Sequence, residues 1–198
     1  MSTGKKSDRA LKIQGNEAEK GVADILYSLG SAYNVFNNVM LKTGKGTTQI
    51  DHVVISRYGI FVIETKSHKG TIFGDCSSKM WTQVLFTKSG QKNYPFYSPY
   101  LQNYGHLRNL YKLFNLSYMY FLGIICFTSD SVDLSRVQCQ NAIKAEQLRL
   151  VISSHTQVLF TDEQVSELCK LLKSGNIQSK YYDKKHVNYV KSLQGGKR

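Results

Sequence analysis

The stretch IDHVVISRYGIFVIETK, residues 50–66, holds three groups able to do chemistry together: Asp51, Glu64 and Lys66. Side chains alternate along a strand, so Glu64 and Lys66 project from one face and Ile63 and Thr65 from the other. A tight turn at Arg57-Tyr58 folds the stretch into a hairpin and brings Asp51 back beside that pair. Two carboxylates and an ammonium then meet at the end of a strand whose remaining positions on that face, Ile60 and Val62, are apolar. Acidic groups emerging from an apolar strand need a partner such as a metal. Carboxylate oxygens suit a hard cation such as Mg²⁺, which polarises a phosphate ester and lowers the pKa of water. Lys66 would orient that water or help deprotonate it, and would offset charge on a pentavalent transition state. Without a metal, Glu64 and Lys66 read as a surface ion pair worth under ~1 kcal/mol and Asp51 as a turn cap.

The elements that must position these groups follow from the pattern on either side. From Gly15 to Leu29 the apolar residues Ala18, Val22, Ile25, Leu26 and Leu29 recur at helical spacing, and Gly30 supplies the C-cap. That helix offers Glu17 or Glu19 as a further carboxylate for a second metal, directly or through water. Strands are expected over 33–41, 49–56, 59–66, 71–73 and 80–87, with a glycine turn at 43–48 and a loop at 89–92. Pro95 and Pro99 break the chain, and Ser98 caps a helix over 99–113. Residues 118–127 read as a strand covered on both faces, 139–143 as a short strand and 144–153 as a helix, and Thr161 opens a capping-box helix. The order gives a mixed α/β sheet covered by helices.

The 198 residues fit one domain of ordinary size, and 41% hydrophobic residues suffice for a core. No run approaches the ~20 apolar residues of a membrane helix, and no membrane partner is expected. The formal charge of +12 is uneven: residues 1–12 carry +3 and residues 173–198 carry +6 on a nearly balanced body. Basic ends point to a polyanion, because lysines that neutralise phosphates release counterions. Cys76, Cys126, Cys139 and Cys169 are scattered with no CxxC pair, which reads as small apolar residues in a reducing, cytoplasmic setting rather than a disulfide framework.

These residues resemble the NERD (nuclease-related) domain, a branch of the PD-(D/E)XK nuclease-like superfamily, over about residues 13–175. The matching runs are GNEAEKGVADIL at 15–26, TQIDHVVISRYGIFVIETKSHKG at 48–70, Trp81 with Gln83, and SPYLQNYGHLRNL at 98–110. GIICFTSDSVDL at 123–134 and TDEQVSELCKLL at 161–172 fit the later strand and helix. The resemblance implies a restriction-endonuclease-like fold, a central four-stranded mixed sheet flanked by helices, and Mg²⁺-dependent action on DNA. The family's Gly-x-x-Gly-Glu helix start falls on Gly15 to Glu19 and favours Glu19, although Ala18 replaces the second glycine and leaves Glu17 as an alternative. Its Ile-Asp falls on Ile50 and Asp51, its Glu-x-Lys on Glu64 and Lys66, and its Pro-x-x-Gln on Pro99 and Gln102. Gln102 would bind phosphate or a metal-bound water; its other reading is a polar residue at a helix start.

Other features take second place. Gly44-Lys45-Gly46-Thr47 lacks phosphate-loop spacing and reads as a hairpin turn that places Lys42 and Lys45 near DNA. The aromatic run Tyr94, Phe96, Tyr97, Tyr100, Tyr104 reads as packing around the prolines, with base stacking as the second reading. The expectation is one nuclease-like domain (13–175) between a flexible basic arm (1–12) and a basic tail (176–198) that could pair with another copy. It would cleave DNA, or RNA, with Mg²⁺ or Mn²⁺ held by Asp51, Glu64 and Glu19, and with Lys66 and Gln102 completing the catalytic set. The rival is a noncatalytic nucleic-acid-binding or protein-docking module on the same fold.

Overall fold

The structure, a computed structural model, describes residues 3–44 and 46–177. Lys45 and the tail from 178 onward lie outside the described residues, and with them that lysine's placement near DNA and pairing through the tail. The elements in chain order are α1 (Thr3–Tyr27), β1 (Tyr33–Thr43), β2 (Gly46–Ser56), β3 (Gly59–Lys66), β4 (Gly70–Asp75), β5 (Met80–Thr87) and β6 (Gly90–Tyr97). There follow α2 (Pro99–Phe114), β7 (Phe121–Phe127), β8 (Val132–Gln138), β9 (Ala142–Lys144), α3 (Ala145–Ser153) and α4 (Asp162–Gly175).

Two mixed sheets result. The first has five strands in the order β1-β2-β3-β7-β9, antiparallel through β3 and parallel from β3 to β9. The second has four, β6-β5-β4-β8, with β8 parallel to β4. Alternation along β2 and β3 divides the core. Val53, Ile55, Ile60 and Val62 meet Leu107, Leu110 and Phe114 of α2 and Leu168 and Leu172 of α4. Val54, Phe61 and Ile63 meet Val22 and Leu26 of α1 and Leu148 and Ile152 of α3. Ile72, Trp81 and Val132 of the second sheet close over Ile125 and Phe127 at the end of β7.

Local signals explain several boundaries. Ser98 caps α2 by accepting the Leu101 N–H, with Pro99 at the first helical position. Thr161 and Gln164 form the capping box of α4. The β2–β3 turn runs from Ser56 to Gly59, where φ is +140°.

Four expectations need correction. The main sheet has five strands rather than four, because Ala142–Lys144 adds β9 beside β7. The segment read as a loop and a proline break is β6, and Pro95 is tolerated because β6 is an edge strand. Backbone helix begins at Thr3, so 3–12 belong to α1 rather than to a flexible arm. Finally, Cys76 and Cys139 form a disulfide, with Cα atoms 5.4 Å apart. Parallel pairing of β4 with β8 sets Asp75 opposite Gln138, so the two cysteines are the next residues along. Isolated thiols therefore no longer argue for a reducing compartment. No helix among the described residues is long and apolar enough to cross a membrane.

Candidate active site

The hairpin delivers its groups as alternation requires. Glu64 lies on the face shared by Ile60 and Val62, toward α2, and is 1% exposed. The β2–β3 ladder is paired up to His52 opposite Ile63. Beyond it Asp51 Oδ2 accepts the Thr65 N–H at 2.8 Å, so a side chain continues where backbone pairing stops. A change of facing accompanies this. In β1, Asn38 has φ +53°, and Phe36 and Val39 on either side of it face the same cluster despite opposite parity. Ile50 and Val53 do likewise around Asp51. The ribbon turns at this point, and an acidic residue leaves the regular alternation there.

Lys66 donates to Glu64 Oε1 and, at 3.2 Å, to Gln102 Oε1 from the first turn of α2. His106, one helical turn further, places Nε2 3.1 Å from Glu64 Oε2 and Nδ1 2.8 Å from Thr48 Oγ1. Asn103 between them donates to the carbonyls of Val62 and Ile124 at 3.0 and 3.1 Å, which fixes α2 across the parallel pair β3–β7. The close approach needs Gly123, where a Cβ would come 2.8 Å from Leu107. His106 and Asn103 were not singled out from sequence; the i, i+4 spacing of His106 from Gln102 was the available clue.

Electrostatics bind the group together. Burial pushes the Asp51 carboxyl well above the usual range, and the charges of Glu64 and Glu19 add to it against the Thr65 N–H and Lys66. Burial works on Glu64 in the same sense but is outweighed by Lys66 and His106, leaving it below the usual value. Burial would lower Lys66, yet Glu64 holds it above the ordinary lysine value. Glu19 is raised by burial and by Glu64. Its coupling to Asp51, Glu64 and Lys66 places it with the cluster, whereas Glu17 is exposed and lines a groove of about 490 Å³ between α1 and the ends of β3 and β7. Asp51, Glu64, Lys66 and Gln102 thus lie together, and Glu19 of α1 feels the charges of Glu64 and Lys66 without a hydrogen bond to them among the described contacts.

The donor chemistry fits a hard cation. Lys66 feels three carboxylates, and the Asp51 carboxyl is pushed up first by burial and then by the charge of Glu64. As they stand, no group of three or more His, Cys, Asp or Glu among the described residues is arranged to hold a metal. Both Glu64 oxygens and one Asp51 oxygen are engaged by protein donors.

The histidines beside the site are neutral packing groups. Burial lowers both His52 and His68 to about 4, and His68 stacks on Phe96 at 4.2 Å.

The model of the nuclease-related domain matches residues 14–128. An uncharacterized protein of Bacillus anthracis is 34% identical over 185 residues, a match covering 90% of this chain and 84% of that one. Among solved structures, a protein of unknown function, AF1548, aligns with a TM-score of 0.36 and 12% identity over 90% of this chain and 99% of its own. SfsA of Pyrococcus furiosus, in complex with Ca²⁺, aligns with a TM-score of 0.30 and 14% identity over 85% of this chain and 55% of its own. A hairpin with Asp51 and Glu64-x-Lys66 at its end, inside a match that spans more than half of the residues, makes the chain a member of the nuclease-related domain (NERD) family.

Proposed function

We propose that this chain is a metal-dependent nuclease that hydrolyses phosphodiester bonds of DNA, with RNA as the alternative polymer. The hydrogen-bonded set of Lys66, Glu64 and Gln102, with Asp51 tied to the β3 backbone at Thr65 between Glu64 and Lys66, supports this reading. Asp51, Glu64 and Glu19 would hold Mg²⁺ or Mn²⁺, which supplies Lewis-acid polarisation of a phosphate oxygen when bound. Lys66, kept cationic by Glu64, donates to a phosphate oxygen or to the attacking water and offsets developing negative charge. A lysine held this way acts as a donor. Gln102 accepts from Lys66 and steadies it, and its amide N–H would serve as a further donor to the phosphate. Exposed Lys69, three residues beyond Lys66, adds a backbone contact.

The engagement of both Glu64 oxygens favours a second reading, a noncatalytic nucleic-acid-binding module whose cluster is a closed structural network. Incubation with supercoiled, linear and single-stranded DNA and with RNA, in Mg²⁺, Mn²⁺ or EDTA, separates the two. Metal-dependent cleavage that D51N and K66M abolish while DNA binding survives supports the nuclease. Absence of cleavage on every substrate and metal overturns it.

A further inference from the structure

The second sheet turns Ile72 and Trp81 inward and exposes several large apolar residues on its other face. Directly opposed residues share a face, so Phe73 of β4 joins Thr82 of β5, while Met80 lies opposite Tyr97 and Phe86 opposite Gln91 on that side. Phe73 is 44% exposed, Tyr97 48%, Met80 49% and Phe86 79%. The register of β4 with β8 shifts between Thr71 and Phe73, so both Asp133 and Arg136 border this face, Arg136 directly across from Phe73. Together these strands line a shallow depression of about 570 Å³.

So much exposed apolar surface on one sheet points to a partner. Its chemistry identifies the kind. Phe86 lies opposite the amide of Gln91, Asn93 follows on the same face of β6, and Arg136 adjoins Phe73. Exposed Lys69, Lys79 and Lys88 lie at the ends of β4 and β5, whereas Lys92, opposite Leu85, belongs to the Trp81 side; residues 69–97 hold one acid, Asp75. Asp133 is already engaged by the Ser135 N–H at 2.9 Å and the Thr71 hydroxyl at 3.2 Å. Rings stack on bases, amides meet base edges, and basic side chains follow phosphates. In a duplex the base faces are already covered by one another, so such rings have nothing to stack on.

We propose that this outer face binds single-stranded nucleic acid, with Phe73 and Phe86 as stacking platforms and Arg136 on the backbone. As a statement about substrate it rests on the nuclease reading; as a statement about binding it stands apart from it. Fluorescence anisotropy of labelled oligothymidylate and oligouridylate, in EDTA with the full chain, tests it, and the tighter of the two identifies the polymer. Wild type binds single strands more tightly than a duplex of equal length, and F73A/F86A loses tenfold to a hundredfold in affinity, roughly as expected for lost base–ring stacking. F73W retains affinity and its emission is quenched by the oligonucleotide, a response that a purely structural role for Phe73 would not give. R136Q weakens binding and flattens its salt dependence. Equal affinity of F73A/F86A and wild type, or equal affinity for duplex, overturns the proposal. So does loss of self-association or of protein binding in F73A/F86A with oligonucleotide affinity intact. D51N keeps oligonucleotide binding, so failure of the nuclease reading shows only in cleavage and failure of this one only in affinity.

Discussion

His106 Nε2 lies 3.1 Å from Glu64 Oε2, and with Lys66 on the other oxygen the most buried carboxylate of the site has a donor on each side. Glu64 lies in an apolar strand, so loss of either donor leaves charge without compensation. H106F is expected to cost about 2–3 kcal/mol in urea unfolding, the range for a hydrogen bond to a charged group. Cleavage should fall at least tenfold, because Glu64 would lose its fixed orientation. H106Q, which can still donate, should recover part of both. Unchanged stability in H106F would show that the contact is dispensable.

Asp51 has a double attachment: a hydrogen bond to the β3 backbone and repulsion from neighbouring carboxylates. D51N keeps an oxygen for the Thr65 N–H and removes the repelled charge. In EDTA it should therefore melt at or above the wild-type temperature while losing metal-dependent cleavage. D51A, which strands the Thr65 N–H, should melt lower. Melting curves of the two side by side decide the point; a D51N that melts as low as D51A removes the repulsion argument.

The Cys76–Cys139 disulfide closes a loop of 63 residues, for which chain entropy predicts about 4 kcal/mol. Reduction, or the C76S/C139S change, should lower stability by ~2–4 kcal/mol. Trp81 reports the event locally, since its Nε1–H donates to the Asp75 carbonyl next to Cys76. A reductant should leave C76S/C139S unaffected; a further loss there would place its action elsewhere.

His68 is held neutral, lowered from 6.5 to about 4 by burial and by Lys66, and its Nδ1 is buried without a hydrogen-bond partner. The unfolded chain takes up this proton at higher pH than the folded one. Stability is therefore complete above about pH 6.5 and is lost as pH falls toward 4. H68F preserves the stack on Phe96 and cannot be protonated, so its unfolding free energy should fall less steeply across that window. Parallel pH profiles of H68F and wild type would refute this.

Parts of this molecule are written in local order and parts are not. The β2–β3 hairpin, the Ser98 cap and the Thr161 capping box depend on neighbours in sequence, and all appear where spacing puts them. Strand β6 gives no alternation because it is polar and exposed on an edge, so Pro95 dominates its appearance. Strand β8 pairs with β4 from far along the chain, and without that pairing Cys76 and Cys139 look unrelated. In the site, the Glu64 and Lys66 pairing follows from strand period and one turn brings Asp51 beside it, whereas the break in alternation at Asp51 depends on Asn38 across the ladder in β1. His106 does not follow either, because its meaning depends on which face of α2 meets β3.

Asn103 grips two adjacent carbonyls with one amide, and Gly123 admits it with no room to spare. The wall of the site built from α2 therefore behaves as an anvil, bolted to both parallel strands and unable to give. Among the described residues the α1 wall has no amide spanning two strands in this way: it runs beside an open groove, with Gln14 donating to the Ser67 carbonyl at 3.2 Å. On the proposed nuclease reading, the groove beside α1 is the open side of the site and the α2 wall the pinned one.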